Sequence, residues 1–270
     1  MSHPDFRKRV ATRFDAAAAR YDAHSGVQQH AAAHLAGLIA TASLPPRPRV
    51  LEIGCGTGHL TQRLTWHLPG AIIFATDIAP AMLAACRERL CEDRRIAFAA
   101  MDGTQPAVAG SFDLVCANLA IQWFENLPAV LATYTRLLAP GGMLAVSLLG
   151  TRTFREWQDA HARLGLVAGT LAMPTAQQCR AAFPADGRLQ LTTEIRIDQP
   201  PTALDFLRSL RAIGADTPTP GHTPLSATKL RRVLSELGEL GKSPKITYEL
   251  MYARWQRREE PPIPEAPRTT

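Results

Sequence analysis

The run Glu52-Ile53-Gly54-Cys55-Gly56-Thr57-Gly58 has the residue types of a ligand-binding turn. Its glycines lack a Cβ, so the backbone can bend sharply and approach a small molecule at the start of a helix. A dinucleotide site would use G-x-G-x-x-G, leaving room for a pyrophosphate. Here the spacing is E-x-G-x-G-x-G with an acid just ahead, which suits a cofactor bearing an amino group better than one bearing phosphates. Asp77 ends the run AIIFATD, at the spacing of about 20 residues where such sites keep an acid for two ribose hydroxyls. Asp102 ends IAFAAMD and can accept a hydrogen bond from an adenine amino group beside the small Gly103. Taken singly, each aspartate would more often serve a turn or a helix cap than a ligand.

These residues need elements to hold them. RVLEIG, AIIFATDI, IAFAAMD, FDLVCANL and GGMLAVSLLG read as strands, separated by the helical runs LTQRLTWHL, PAMLAACRERLCED and LPAVLATYTRLLAP. Such alternation predicts an α/β fold with a Rossmann-like, doubly wound, mainly parallel sheet, and ligands of such sheets bind at the carboxyl ends of the strands. RKRVATRFDAAAARYDAH and GVQQHAAAHLAGLIATA predict two helices ahead of the sheet. Further on, LQLTTEIRID and KITYELMYARW alternate as strands and bracket two helix-like stretches, TALDFLRSLRAIGA and SATKLRRVLSELGEL, expected as an insertion between the last two strands.

With 270 residues and 46% hydrophobic content, a disordered or fibrous chain is excluded. No apolar run reaches membrane-spanning length and MSHPDFRKRVATRF lacks the apolar core of a signal peptide, so a cytoplasmic protein is expected. The five scattered cysteines show no metal spacing, and no metal site is expected. The net charge of +6 favours an anionic partner. An acidic protein fits, while nucleic acid is disfavoured because basic and aromatic residues do not interleave.

In order along residues 48–150, LEIGCGTG, the acid of ATDIAPAML, AAMDG, FDLVCANLAIQW and LAPGG resemble the successive motifs of class I S-adenosylmethionine-dependent methyltransferases. The resemblance implies S-adenosyl-L-methionine as cofactor, held by Glu52, Gly54, Cys55, Gly56, Gly58, Asp77, Ile78, Met82, Asp102, Gly103 and Asn118. Outside that core, VATRFDAAAARYDAHSGVQ, NLAIQWFENLPAVL, LDFLRSLRAIGA and ITYELMYARWQR are similar to the malonyl-acyl-carrier-protein O-methyltransferases of biotin synthesis. This implies N-terminal helices (1–43) covering the pocket and a methyltransferase domain (44–258) with its cofactor core at 48–150 and an insertion at about 199–244. The proline-rich tail at 259–270 is expected to be disordered.

The same resemblance implies that the free carboxylate of a malonyl thioester becomes a methyl ester, the step that starts pimeloyl synthesis. An acid with a pKa of about 4 is already ionised at neutral pH, so no general base is needed and catalysis is positioning. Tyr21, Gln122 and Trp123 are expected at the reacting centre, with Arg208 holding one carboxylate oxygen; Arg211 and Arg152 are substitutes. His59 is expected to pack or face solvent. Lys229, Arg231 and Arg232 are candidates for docking an acidic acyl-carrier protein. Three rivals stay open: a methyltransferase acting on another small acid, a nicotinamide dehydrogenase, and a binding module without turnover.

Overall fold

In the computed structural model, which describes residues 3–238 and 243–257, the chain opens with α1 (His3–His24) and α2 (Gly26–Ala40). An alternating series follows: β1 (Arg49–Ile53), α3 (His59–His67), β2 (Ile72–Asp77), α4 (Pro80–Arg89), β3 (Ile96–Ala100) and β4 (Phe112–Asn118). After a 3-10 turn at Ile121–Trp123 come α5 (Leu127–Arg136), β5 (Leu138–Leu149), α6 (Arg155–Arg163) and α7 (Ala176–Ala182). The last part is β6 (Gly187–Asp198), α8 (Ala203–Ala212), α9 (Ala227–Leu237) and β7 (Ile246–Arg257).

The strands form one sheet in the order β3-β2-β1-β4-β5-β7-β6. β1 to β5 pair in parallel, whereas β7 enters antiparallel between β5 and β6. The expected insertion is there: α8 and α9 lie between β6 and β7 in the chain. Period-2 alternation sorts the strand side chains onto two cores. Val50, Leu114, Cys116 and Ala145 pack with α2, α3 and Phe206 of α8. Leu51, Ile53, Val115 and Val146 pack with α5, α7 and Trp255. Burial on both faces explains why these strands read as near-continuous apolar runs.

Local signals set several helix starts. Asn126 accepts from Ala129 N–H ahead of α5, with Pro128 in its first turn. Thr202 and Ser226 cap α8 and α9. The helices α6 and α7 were not anticipated. α6 carries few apolar residues, and α7 spans only Ala176–Ala182, although its capping box of Thr175 and Gln178 is a readable signal. The tail at 259–270 lies outside the described residues.

Candidate active site

The sheet order reverses direction of growth at β1, flanked by β2 and β4, and the glycine loop leaves β1 at that point. Gly54 has φ +68, and a Cβ there would lie 2.6 Å from the Cβ of Ala120, so only glycine lets the loop pass the turn after β4. Asp77 at the end of β2 pins the loop: Gly56 N–H donates to Oδ2 and Ala79 N–H to Oδ1, both at 2.8 Å. Each oxygen keeps a further acceptor site for a diol. Burial raises this carboxyl above its usual range, and the backbone donors oppose that shift.

Asp102 follows β3. Its Oδ1 accepts from Thr104 N–H at 2.9 Å and from the Thr104 hydroxyl at 2.8 Å, and its Oδ2 accepts from Arg7 Nη1 at 2.8 Å. Beside it, a Cβ on Gly103 would meet Ile53 Cγ2 at 2.5 Å. Asn118 ends β4 and joins three elements, donating to Gln28 O at 3.1 Å and accepting from the Ser147 hydroxyl at 2.7 Å. Beneath the loop, the Glu52 carboxyl is 1% exposed, its Oε2 has no partner, and burial, with the Asp77 charge, pushes its pKa up to about 7.

Two cavities meet here. The first is bordered by Gly54, Gly56, Asp77, Ile78, Met82, Asp102, Gly103 and Asn118, all expected at the cofactor. Of the expected set, Glu52, Cys55 and Gly58 do not line it. Cys55 is buried, and a hydrogen bond with the Cys86 thiol, with burial, raises its pKa. Gly58 has its missing side chain directed at Cys86 Sγ, 2.8 Å from an ideal Cβ, so it serves the packing of α3 on α4.

The second cavity, about 500 Å³, holds Gln122 and Arg208 in its wall. Phe14, Tyr21, Leu119 and Trp123 border both cavities and form the junction between them. Burial first, then the charges of Asp77 and Asp22, hold the Tyr21 hydroxyl far above its usual pKa, so it stays protonated as a donor. Gln122 donates to Leu119 O at 2.7 Å, and Trp123 meets Phe14 edge-on at 5.4 Å. Arg208 pairs with Asp205 at 3.0 Å and is 69% exposed at the cavity wall. Arg211 is paired similarly with Asp216. Arg152 lies away from both cavities, its guanidinium and backbone N–H engaged by the buried Glu249. Lys229, Arg231 and Arg232 are exposed on α9.

Sequence reasoning missed Arg7, Phe14 and Leu119. Leu119 has φ +47, an uncommon conformation for a non-glycine residue and one that carried no sequence signal. It also missed how firmly α1 is tied across the first cavity. Asp15 accepts from Ala81 N–H at 2.7 Å. Asp22 accepts from the Thr57 hydroxyl at 2.6 Å, pairs with Arg89, and lies 2.9 Å from His59. With α1 and Arg7 over it, the first cavity has only about 90 Å³ of free space.

The donor set decides which cofactor chemistry fits. Glu52 and Asp77 are buried acids held above their usual range, and a pyrophosphate beside them would be repelled. A cationic ligand with a ribose and an amino-bearing base is attracted instead: Glu52 lies behind the cavity wall, and the open acceptor sites of Asp77 border it.

Comparison with known proteins agrees with this geometry. Residues 51–144 match a family described as a methyltransferase domain. The biotin biosynthesis bifunctional protein BioCD of Bordetella avium is 44% identical over 249 residues, which cover 92% of this chain and 52% of that protein. This chain thus spans about half the length of that relative. A malonyl-acyl-carrier-protein O-methyltransferase of Magnetococcus marinus is 39% identical over 247 residues, covering 89% of each chain. Among solved structures, a putative methyltransferase from Bacillus halodurans superposes with a TM-score of 0.63 at 14% identity, over 84% of this chain and 99% of the other. YcgJ of Bacillus subtilis gives 0.62 at 16% identity, over 84% of this chain and all of that one. Both show the fold.

Proposed function

Because the chain belongs to the malonyl-acyl-carrier-protein O-methyltransferase family, we propose that it methylates the free carboxylate of a malonyl thioester, giving the methyl ester that starts pimeloyl synthesis for biotin. The observation that carries this reading is the junction at Tyr21, Leu119 and Trp123, where a glycine-loop cavity opens into a separate acceptor cavity. When bound, S-adenosyl-L-methionine supplies an electrophilic methyl on a sulfonium, and passing it to a carboxylate oxygen leaves a neutral thioether and a neutral ester.

The chain's own residues bind and orient. Asp77 holds the ribose hydroxyls, Asp102 and Gly103 border the adenine, and Glu52 sets the negative field beneath the glycine loop. A malonyl carboxylate is ionised at neutral pH, so the site needs no base. Tyr21, held protonated, donates to the acceptor at the junction. Arg208 takes one carboxylate oxygen after leaving Asp205. That exchange is cheap, since water screens an exposed ion pair. One oxygen remains unbonded and reactive, as a bidentate clamp would blunt both. Gln122 and Trp123 close the wall and exclude water.

The exposed cations Lys229, Arg231 and Arg232 on α9 suit an acidic carrier protein whose arm enters the acceptor cavity. The same reading puts the activity in the cytoplasm; among the described residues no helix is long and apolar enough to cross a membrane. The test is labelled cofactor with malonyl-carrier protein or with free diacids, followed by mass spectrometry of the products. A methyl ester on the carrier arm is expected. Methylation of free acids alone would sink the substrate assignment, and cofactor binding without transfer would leave a binding module.

A further inference from the structure

The acceptor cavity is far larger than the group that reacts in it: a three-carbon diacid occupies a small part of about 500 Å³. Away from the Tyr21 junction the wall is mostly apolar, with Trp157, Leu207 and Leu210, but two polar side chains are buried in it. His161 is 2% exposed and Thr217 is 6% exposed. The Nδ1 of His161 lies 2.8 Å from Trp157 O. A carbonyl oxygen only accepts, so Nδ1 carries the proton. Burial holds the imidazole below its usual pKa, a shift the nearby His222 reinforces, so the ring is neutral and Nε2 is a bare acceptor. The Thr217 hydroxyl is buried without a partner, and so is Gln122 Oε1 on the same cavity. The cavity therefore presents the bare imidazole nitrogen of His161, an unpaired amide oxygen and an unpaired hydroxyl that can accept as well as donate. Buried polar groups are as a rule hydrogen-bonded, so unpaired ones on a cavity wall are suited to a polar ligand.

We propose that this wall is an amide-reading subsite, in which His161 Nε2 and the Thr217 hydroxyl accept hydrogen bonds from the secondary amide N–H groups of the arm bearing the malonyl thioester. The inference rests on the reading of the acceptor given above. It assigns specificity to the arm as well as to the carboxylate. A free diacid at neutral pH offers no donor to these acceptors, and a simple alkyl thioester offers none either. The amides of a pantetheine arm do, whether the arm is attached to a carrier protein or forms part of coenzyme A.

The test compares malonyl-carrier protein, malonyl-coenzyme A and malonyl ethyl thioester with the wild type and with His161→Phe, His161→Gln and Thr217→Val. The readout is kcat/KM for each arm-bearing substrate divided by that for the ethyl thioester. We expect His161→Phe to lower this ratio about tenfold for both arm-bearing substrates, chiefly through KM, Thr217→Val to lower it several-fold, and His161→Gln, which keeps an acceptor, to restore part of it. Binding of unacylated coenzyme A, followed by calorimetry, should weaken in step, while cofactor affinity reports that each variant is folded. An unchanged ratio, or a loss confined to the carrier-bound substrate, overturns the subsite. If the wild type transfers no methyl to any thioester, the functional reading fails, and the coenzyme A titration still decides the subsite: binding lost in His161→Phe supports it, and equal or absent binding refutes it.

Discussion

Arg7 Nη1 lies 2.8 Å from Asp102 Oδ2, joining α1 to the loop after β3 across the cofactor cavity. The pair occupies the acid expected to meet adenine, and the cavity it closes is well below the roughly 300 Å³ usual for small-molecule pockets. The pair is therefore expected to slow entry and exit of a cofactor.

Arg7→Ala should therefore raise both the association and dissociation rates of the cofactor several-fold in stopped-flow fluorescence. Both side chains are about one-third exposed, so the pair contributes at most about 1 kcal/mol and Tm should fall by no more than about 4 °C. Unaltered binding rates would mean that α1 does not gate the cavity.

The Glu52 carboxyl, at about 7 in the fold, gives a pH signature. Its folded pKa is raised above the unfolded value, so its favourable contribution to stability is fully present below about 4.5 and is lost as pH rises through about 7. A cationic cofactor prefers the ionised carboxylate. Affinity measured by calorimetry should strengthen between pH 6 and 8, and Glu52→Gln should flatten that dependence. A slope of the opposite sign would rule out Glu52 as the source of the field.

Gly54→Ala combines two penalties: a positive φ, costing about 1 kcal/mol, and overpacking against Ala120, costing about 1–3 kcal/mol. Chemical denaturation should show the sum, together with weakened cofactor binding. In the double variant Gly54→Ala, Ala120→Gly only the steric part should return; full recovery would show that φ strain is negligible there.

Arg152 and Arg208 should separate stability from activity. Removing Arg152 leaves Glu249, 4% exposed, without its guanidinium, so Arg152→Ala should lower stability by about 1–2 kcal/mol after allowing for the half-exposed arginine, with KM little changed. Arg208→Ala should leave Tm within about 2 °C and raise KM for the malonyl substrate at least tenfold. The reverse pattern would exchange their roles.

The cofactor half was legible because its signals are local. Strand runs, the glycine spacing and the acids at strand ends each follow from neighbours in sequence, and Gly54, Asp77, Asp102 and Gly103 come together at one cavity. Residues whose meaning depends on distant partners were not legible. Gly58 matches the pattern, yet it packs α3 against Cys86 of α4, and Glu52 lies buried beneath the loop and does not border the cavity. Arg7 matters through Asp102, and His161 and Thr217 through a void formed by segments far apart in the chain. Arg152 is held by Glu249 of β7, 97 positions away in the chain.

The antiparallel entry of β7 bears on the order of assembly during synthesis. Residues 49–149 contain every strand of the parallel part, so that half can collapse on itself while the rest is still being translated. β6 cannot: among the described residues its only neighbour in the sheet is β7, and its ladder waits for residues 246–257 to emerge. Until then a twelve-residue strand carrying Ile195 and Ile197 stands with both edges open on the nascent chain, a template for intermolecular pairing. Truncation within β7 should therefore yield aggregates on expression in preference to a smaller soluble cofactor-binding protein.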